Sequence, residues 1–164
     1  MVTSPLPIIG SNASVTVGGI KNIPAKVDTG ADSSSIWASD IIINSQKEVE
    51  FSLFAPGSPL YTGKRLSSHE FTVKRVRSSN GAVSIRYVVP LVISVSGHRI
   101  RAQFTLADRS RNRFPVLIGR RTLNGKFLVD VSRSAFSHTP TFDNADLNAE
   151  LSADPQKFHQ KHMK

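Results

Sequence analysis

The sequence predicts a mainly β, mostly antiparallel domain with one short helix near its C-terminal end. Three observations carry this expectation. Apolar residues alternate with polar ones at Val49, Phe51 and Leu53, and again at Ile100, Ala102, Phe104 and Leu106, the period-two pattern of strands with one wet face. Asn80-Gly81 stands between two further alternating runs, Phe71 to Val73 and Val83 to Tyr87, where Asn-Gly is the pair that a tight hairpin turn favours. Only Gly119–Leu123 reads as a firm helix, and Asn124-Gly125 stops it with a left-handed cap.

Taken in order, Ser14–Val17 reads as a strand, Gly18-Gly19 as a turn, and Ile20–Val27 as the return strand. Pro24 restricts that second strand to an edge or an irregular start. Ser33–Trp37 leads to the apolar Ile41–Ile43. Val49–Leu53 follows, and Ala55-Pro56-Gly57-Ser58-Pro59 breaks the pattern into a surface loop. The Asn80-Gly81 hairpin occupies about residues 71–87. Val88–Val95 is a continuous apolar run expected to be a buried strand, except that Pro90 has no N–H and so needs an edge or a bulge. After Ile100–Leu106 come a charged loop, Asp108–Arg113, then the short helix, then a last strand at Phe127–Val131. Residues 1–136 therefore read as one domain. From 137 to 164 the chain is polar with no usable period, and is expected to be disordered apart from a transient helix near Ala145–Leu151.

A chain of 164 residues, 39% of them hydrophobic, can bury a core. The absence of Cys excludes disulfides, thiolate metal ligands and a cysteine nucleophile. No apolar run approaches the ~20 residues that span a bilayer, and the N-terminus lacks a signal-peptide pattern, so the expectation is a cytoplasmic protein without a membrane partner. The net charge of +9 attracts anions. Its Lys and Arg are spread along the strands, however, and no nucleic-acid motif accompanies them, so no specific nucleic-acid partner is expected. Acidic peptides are the minor reading of the charge. Gly57 and Gly63-Lys64 miss the phosphate-loop spacing by one residue and have Arg65 where Ser or Thr is needed. His159 and His162 lack a third ligand, and no His-Glu-x-x-His occurs. Neither a metal nor any other cofactor is expected.

The chemistry concentrates in Ala25-Lys26-Val27-Asp28-Thr29-Gly30-Ala31-Asp32-Ser33. An acid at a strand end, followed by a hydroxyl residue and a glycine, would be held rigidly at the mouth of a site that backbone or substrate can approach closely, while the same three residues alone read equally well as an ordinary turn. A second stretch, Phe114-Pro115-Val116-Leu117-Ile118-Gly119-Arg120-Arg121-Thr122-Leu123, closes an apolar run on Gly119 and opens into the helix. Together these stretches resemble the retropepsin-like aspartic proteases. Val15-Thr16-Val17-Gly18-Gly19 and Ile93-Ser94-Val95-Ser96-Gly97-His98 stand in matching places. Among bacterial sequences the chain looks most like the RimK-associated family historically labelled ATP-dependent zinc proteases, through Ala25–Ala31, Arg77-Ser78-Ser79-Asn80-Gly81 and Gly125-Lys126-Phe127-Leu128-Val129-Asp130. The likeness covers about residues 8 to 136. The bacterial relatives usually carry a basic residue at the position of Asp32 and a Glu at that of Ala13.

The resemblance implies a closed β-barrel subunit and an aspartic endopeptidase. Asp28 would be catalytic, with Thr29, Gly30, Ala31, Asp32, Ile118, Gly119 and Arg120 supporting it; Asp32 and Arg120 would form a bracing ion pair. Ser78, Ser79, Asn80 and Gly81 would form the tip of a flap over the substrate. Carboxylate-driven hydrolysis needs two acids sharing one proton, and this chain has one Asp-Thr-Gly. Asp130 lacks the Thr-Gly context, so the expectation is a homodimer supplying Asp28 twice. The competing reading is a catalytically silent peptide-binding or regulatory module beside a RimK-like ligase.

Overall fold

A computed structural model of the protein describes residues 4–136 and 144–163. The short strand β1 (Ile8–Ile9) leads to the hairpin of β2 (Asn12–Val17) and β3 (Ile20–Val27), whose turn residues Gly18 and Gly19 have φ of 59° and 81°. Then come β4 (Ser34–Ile43), β5 (Val49–Leu53), β6 (Arg65–Ser68), β7 (Thr72–Arg77), β8 (Val83–Val95), β9 (His98–Ala107) and β10 (Val116–Ile118). Helix α1 (Arg120–Leu123), strand β11 (Leu128–Val129) and helices α2 (Ala145–Ala153) and α3 (Pro155–His162) complete the chain.

Six strands close into a barrel in the order β10, β3, β2, β8, β9, β4, and β4 returns to β10 through Val116 opposite Ile36. The mainly β, barrel-shaped expectation therefore holds. Two seams, β3–β10 and β4–β9, are parallel; the others are antiparallel. The core is filled by alternate residues of these strands, among them Ile23, Ile36, Ile93, Phe104, Leu106 and Ile118, with Phe51 and Phe54 from the β5 side. Burying each such side chain contributes about 1.5–3 kcal/mol.

Several elements differ from the expectation for physical reasons. The two apolar runs of β4 are one strand, with its register shifted between Ser39 and Ile42 and Asp40 at φ 49°. β6 carries no apolar alternation; it is held by pairing with β5 and by Arg65, which donates to Glu50, Ser52 and the Asp40 carbonyl. Val83–Tyr87 and Val88–Val95 are one strand, β8. Its residues up to Val88 pair with β7, and Ile93–Val95 pair with β2. Pro90 falls between those partners, where one edge of β8 faces no strand among the described residues and the missing N–H is no loss. The last strand shrinks to Leu128–Val129, parallel to β1, because Asp130 turns away to bond Ser132 and Arg133.

Helix α2 covers the stretch near Ala145–Leu151 where the sequence predicts a helix. Residues 137–143 lie outside the described residues, but α2 and α3 follow them, with no buried side chain in either. Asp154 accepts the Lys157 amide at 3.0 Å and Pro155 opens α3, a start signal that the sequence carries. Lys161 and His162 contact Glu150 across the pair.

Candidate active site

Asp28 is the first residue beyond β3. There β3 runs parallel to β10, with Ala25, Lys26 and Val27 opposite Val116, Leu117 and Ile118, so two strands end side by side. The Asp28 amide donates to the Ile118 carbonyl at 2.9 Å, continuing the ladder one step. The chain then turns sharply. Asp28 Oδ1 accepts the Gly30 amide at 3.0 Å and the Ala31 amide at 3.2 Å, which fixes the carboxylate against its own loop. Its other oxygen, Oδ2, faces Lys26 Nζ at 3.6 Å, and the side chain is 28% exposed. Lys26 received no role from the sequence, although period two puts it on the same face of β3 as Asp28.

The second motif closes the back of this loop. Gly119 N–H donates to Ser34 Oγ at 3.0 Å, and Ser34 shares a 2.6 Å hydrogen bond with the Thr122 hydroxyl, all buried. The first amides of α1 are satisfied by the Asp28 loop: Arg120 N–H reaches the Ala31 carbonyl at 2.8 Å and Arg121 N–H the Asp32 carbonyl at 3.2 Å. Glycine is needed at 119 because of close approach. A Cβ there would stand 2.6 Å from the Ser33 carbonyl oxygen and 3.0 Å from that of Ala31.

Asp32 meets two arginines. Arg120, the expected partner, is at 3.7 Å, whereas its neighbour Arg121 is closer at 3.0 Å. All three side chains are more than half exposed, so within one subunit these pairs contribute little. Thr29 is exposed. It borders a mostly apolar hollow of about 620 Å³ with Leu6, Leu123, Phe127, Leu128 and Arg120. Asp130 is engaged by the Ser132 hydroxyl and amide and by Arg133, and those bonds, the hydroxyl first, hold its carboxyl below the usual range.

The hairpin β7–β8 turns at Ser78–Gly81, closed by Ser78 N–H to the Ala82 carbonyl at 2.8 Å, with Gly81 at φ 84°. Its inner face reaches the Asp28 loop: Lys74 Nζ donates to Ser33 Oγ at 2.6 Å. Between hairpin and barrel runs a cavity of about 650 Å³ whose charged lining is Asp32, Lys74, Arg101, Arg121 and Lys126. The structure thus brings Asp28, Gly30, Ala31, Ile118 and Gly119 together at one strand end, with the hairpin reaching over the same loop. Lys26, Ser34, Lys74, Arg121 and Thr122 were not singled out in the sequence. Ser34 and Thr122 are legible only as a pair separated by 88 residues.

The RimB-like family model, described as retropepsin-like aspartic endopeptidase RimB, matches residues 8–140. A probable alpha-L-glutamate ligase of Shewanella halifaxensis is 34% identical over 119 residues, which is 71% of this chain and 26% of the ligase. The corresponding protein of Shewanella pealeana is 33% identical over the same length and shares. The chain thus spans about a quarter of the length of the curated relatives it matches. A solved structure from Legionella pneumophila, of a protein of unknown function (DUF785), superposes with a TM-score of 0.59 at 24% identity, covering 78% of this chain and 95% of that one. It shares the fold. Among the described residues, no helix is long and apolar enough to cross a membrane.

Proposed function

The chain belongs to the RimB-like family of retropepsin-like aspartic endopeptidases, and from that premise we propose that it hydrolyses peptide bonds at a pair of Asp28 carboxylates, one from each subunit of a homodimer. The observation that carries the reading is the fixation of Asp28 at the joint end of β3 and β10, with Oδ1 held by two amides. Such an acid is oriented before any substrate arrives. Asp130, engaged in its own turn, is no substitute for the second acid.

In this mechanism the two carboxylates hold one proton between them, because like charges about 3 Å apart do not both ionise. The ionised member removes a proton from water, and the water oxygen attacks the scissile carbonyl carbon. The protonated member gives its proton to the carbonyl oxygen, forming a neutral diol. Collapse of the diol breaks the C–N bond as one carboxyl gives its proton to the leaving nitrogen and the other, ionised, takes a hydroxyl proton from the diol, which restores the singly protonated pair. The β7–β8 hairpin covers the substrate, and its tip Ser78-Ser79-Asn80-Gly81 closes the cleft. The basic lining from Lys74, Arg101, Arg121 and Lys126 favours acidic peptides. The hollow beside Thr29, with Leu6 and Leu128 exposed at its edge, is the proposed subunit contact.

A second reading is supported by the ligase relatives: the domain binds peptides or regulates a glutamate ligase without cutting. Cleavage of a mixed peptide library separates the two. The protease reading expects Asp28→Asn to lower cleavage by at least about 10²–10⁴-fold, since the amide oxygen keeps both loop bonds but cannot cycle a proton. EDTA should leave cleavage unchanged. Full cleavage by Asp28→Asn, or loss with EDTA that Zn2+ restores, defeats the aspartic mechanism.

A further inference from the structure

A second cavity of about 410 Å³ lies beneath the β7–β8 hairpin, beside the Asp28 loop. Three paired strand positions line one side of it. Ser35 of β4 sits opposite Thr105 of β9 and opposite Leu117 of β10. Cations line the other side, principally Lys74 and Arg86 from the hairpin and Arg109 from the loop after β9. Among its described lining residues there is no Asp or Glu.

Three features distinguish this cavity from an ordinary solvated basic face. Arg109 Nε donates to the Phe114 carbonyl at 3.0 Å, which anchors the guanidinium in place. Burial first, and then the like charge of Arg86, hold Arg109 below the usual arginine range, an effect that an anion beside it offsets. Neither has a carboxylate partner among the described residues. Ser35 Oγ is buried with no hydrogen-bond partner among them, and buried hydroxyls are rarely left so without a use.

We infer that this cavity is a seat for one carboxylate of the bound peptide, gripped between Arg86 and Arg109 with Lys74 above it. Guanidinium groups present paired N–H donors that match the two oxygens of a carboxylate. The carboxylate has two possible sources, an acidic side chain within the peptide or its free carboxyl end. The inference rests on the cleft being a peptide site and adds which residues read the peptide and what they read.

The test measures binding apart from cleavage. Asp28→Asn protein is titrated calorimetrically at low salt with a neutral hexapeptide blocked at both ends, with a set carrying one Glu moved through each position, and with the neutral peptide bearing a free carboxyl end. One of these acids should bind about tenfold tighter than the blocked neutral peptide, the usual worth of a charged hydrogen bond. Adding Arg86→Gln or Arg109→Gln should remove that preference and leave the neutral peptide's affinity unchanged. Arg86 lies half-buried on the hairpin, so its variant answers even where Arg109→Gln disturbs the fold. Preference for an internal Glu assigns the seat to side chains; preference for the free end assigns it to chain termini. Equal binding of all peptides, or a preference surviving both arginine changes, overturns the seat. A preserved preference with no cleavage by the unmutated protein would overturn the protease reading alone.

Discussion

Gly119 and Ser34 meet through a 3.0 Å hydrogen bond from the glycine amide to the serine hydroxyl, and this contact ties the second motif to the residue that directly follows the first. It lets the chain after β10 pass directly under the loop that holds Asp28, with α1 donating its first amides to that loop.

Gly119→Ala should therefore be costly. Its Cβ would press on two carbonyl oxygens of the Asp28 loop, which are backbone and have no rotamer to change. A loss of about 1–3 kcal/mol is expected, read from urea unfolding, with peptide cleavage falling alongside. An alanine variant of unchanged midpoint and activity would mean that the approach is looser than described.

Dimerisation should depend on the apolar hollow beside Thr29. Leu128 is 53% exposed, so Leu128→Asp costs the single subunit little. Sedimentation across a dilution series should show its dimer dissociating at concentrations on the order of tenfold higher than for the unmutated chain. Specific activity should fall over the same range. A fully active monomer would end the shared-carboxylate scheme.

Asp32 offers a finer test. Because Asp32, Arg120 and Arg121 are all well exposed, Arg120→Ala and Arg121→Ala should each change unfolding stability by less than about 1 kcal/mol. Arg120→Ala is nevertheless expected to weaken the dimer or its activity, by bracing the Asp28 loop at the subunit contact. No change in either measurement would remove Arg120 from the site.

Acid sensitivity should include a contribution from the β5–β6 edge. Hydrogen bonds from Arg65 first, then from Asn44, hold the Glu50 carboxyl below its ordinary value. A lowered folded-state value means that the contribution is present above the unfolded carboxylate range and is lost as pH falls through the folded value. Thermal unfolding followed from neutral pH to about pH 3 should lose less stability in Glu50→Gln than in the unmutated chain. Identical pH profiles would show that this pair does not couple to folding.

The features legible in the sequence are those written locally. Alternation marks β5 and β9, Asn80-Gly81 marks the hairpin, and the Asp28 and Gly119 stretches carry their own turn chemistry. What was not legible depends on partners distant in the chain. The polar β6 is a strand because Arg65 finds Glu50, Ser52 and the Asp40 carbonyl. The Ser34–Thr122 bond has no local mark, and only the fold decides that Arg121 stands nearer Asp32 than Arg120 does. The Asp154-Pro155 start of α3 was local and legible, but the polar composition around it argued for disorder.

β8 is one strand shared by two parts of the fold. Up to Val88 it belongs to the hairpin with β7, Ile93–Val95 lie between β2 and β9, and around Pro90 β9 alone pairs with it. β2 in turn is paired with β3, the strand that ends at Asp28. The hairpin and the strand that carries Asp28 are therefore joined through two steps of backbone pairing, so a displacement of Asn80 is expected to register in the amide exchange of Ile93–Val95 before it registers elsewhere in the barrel.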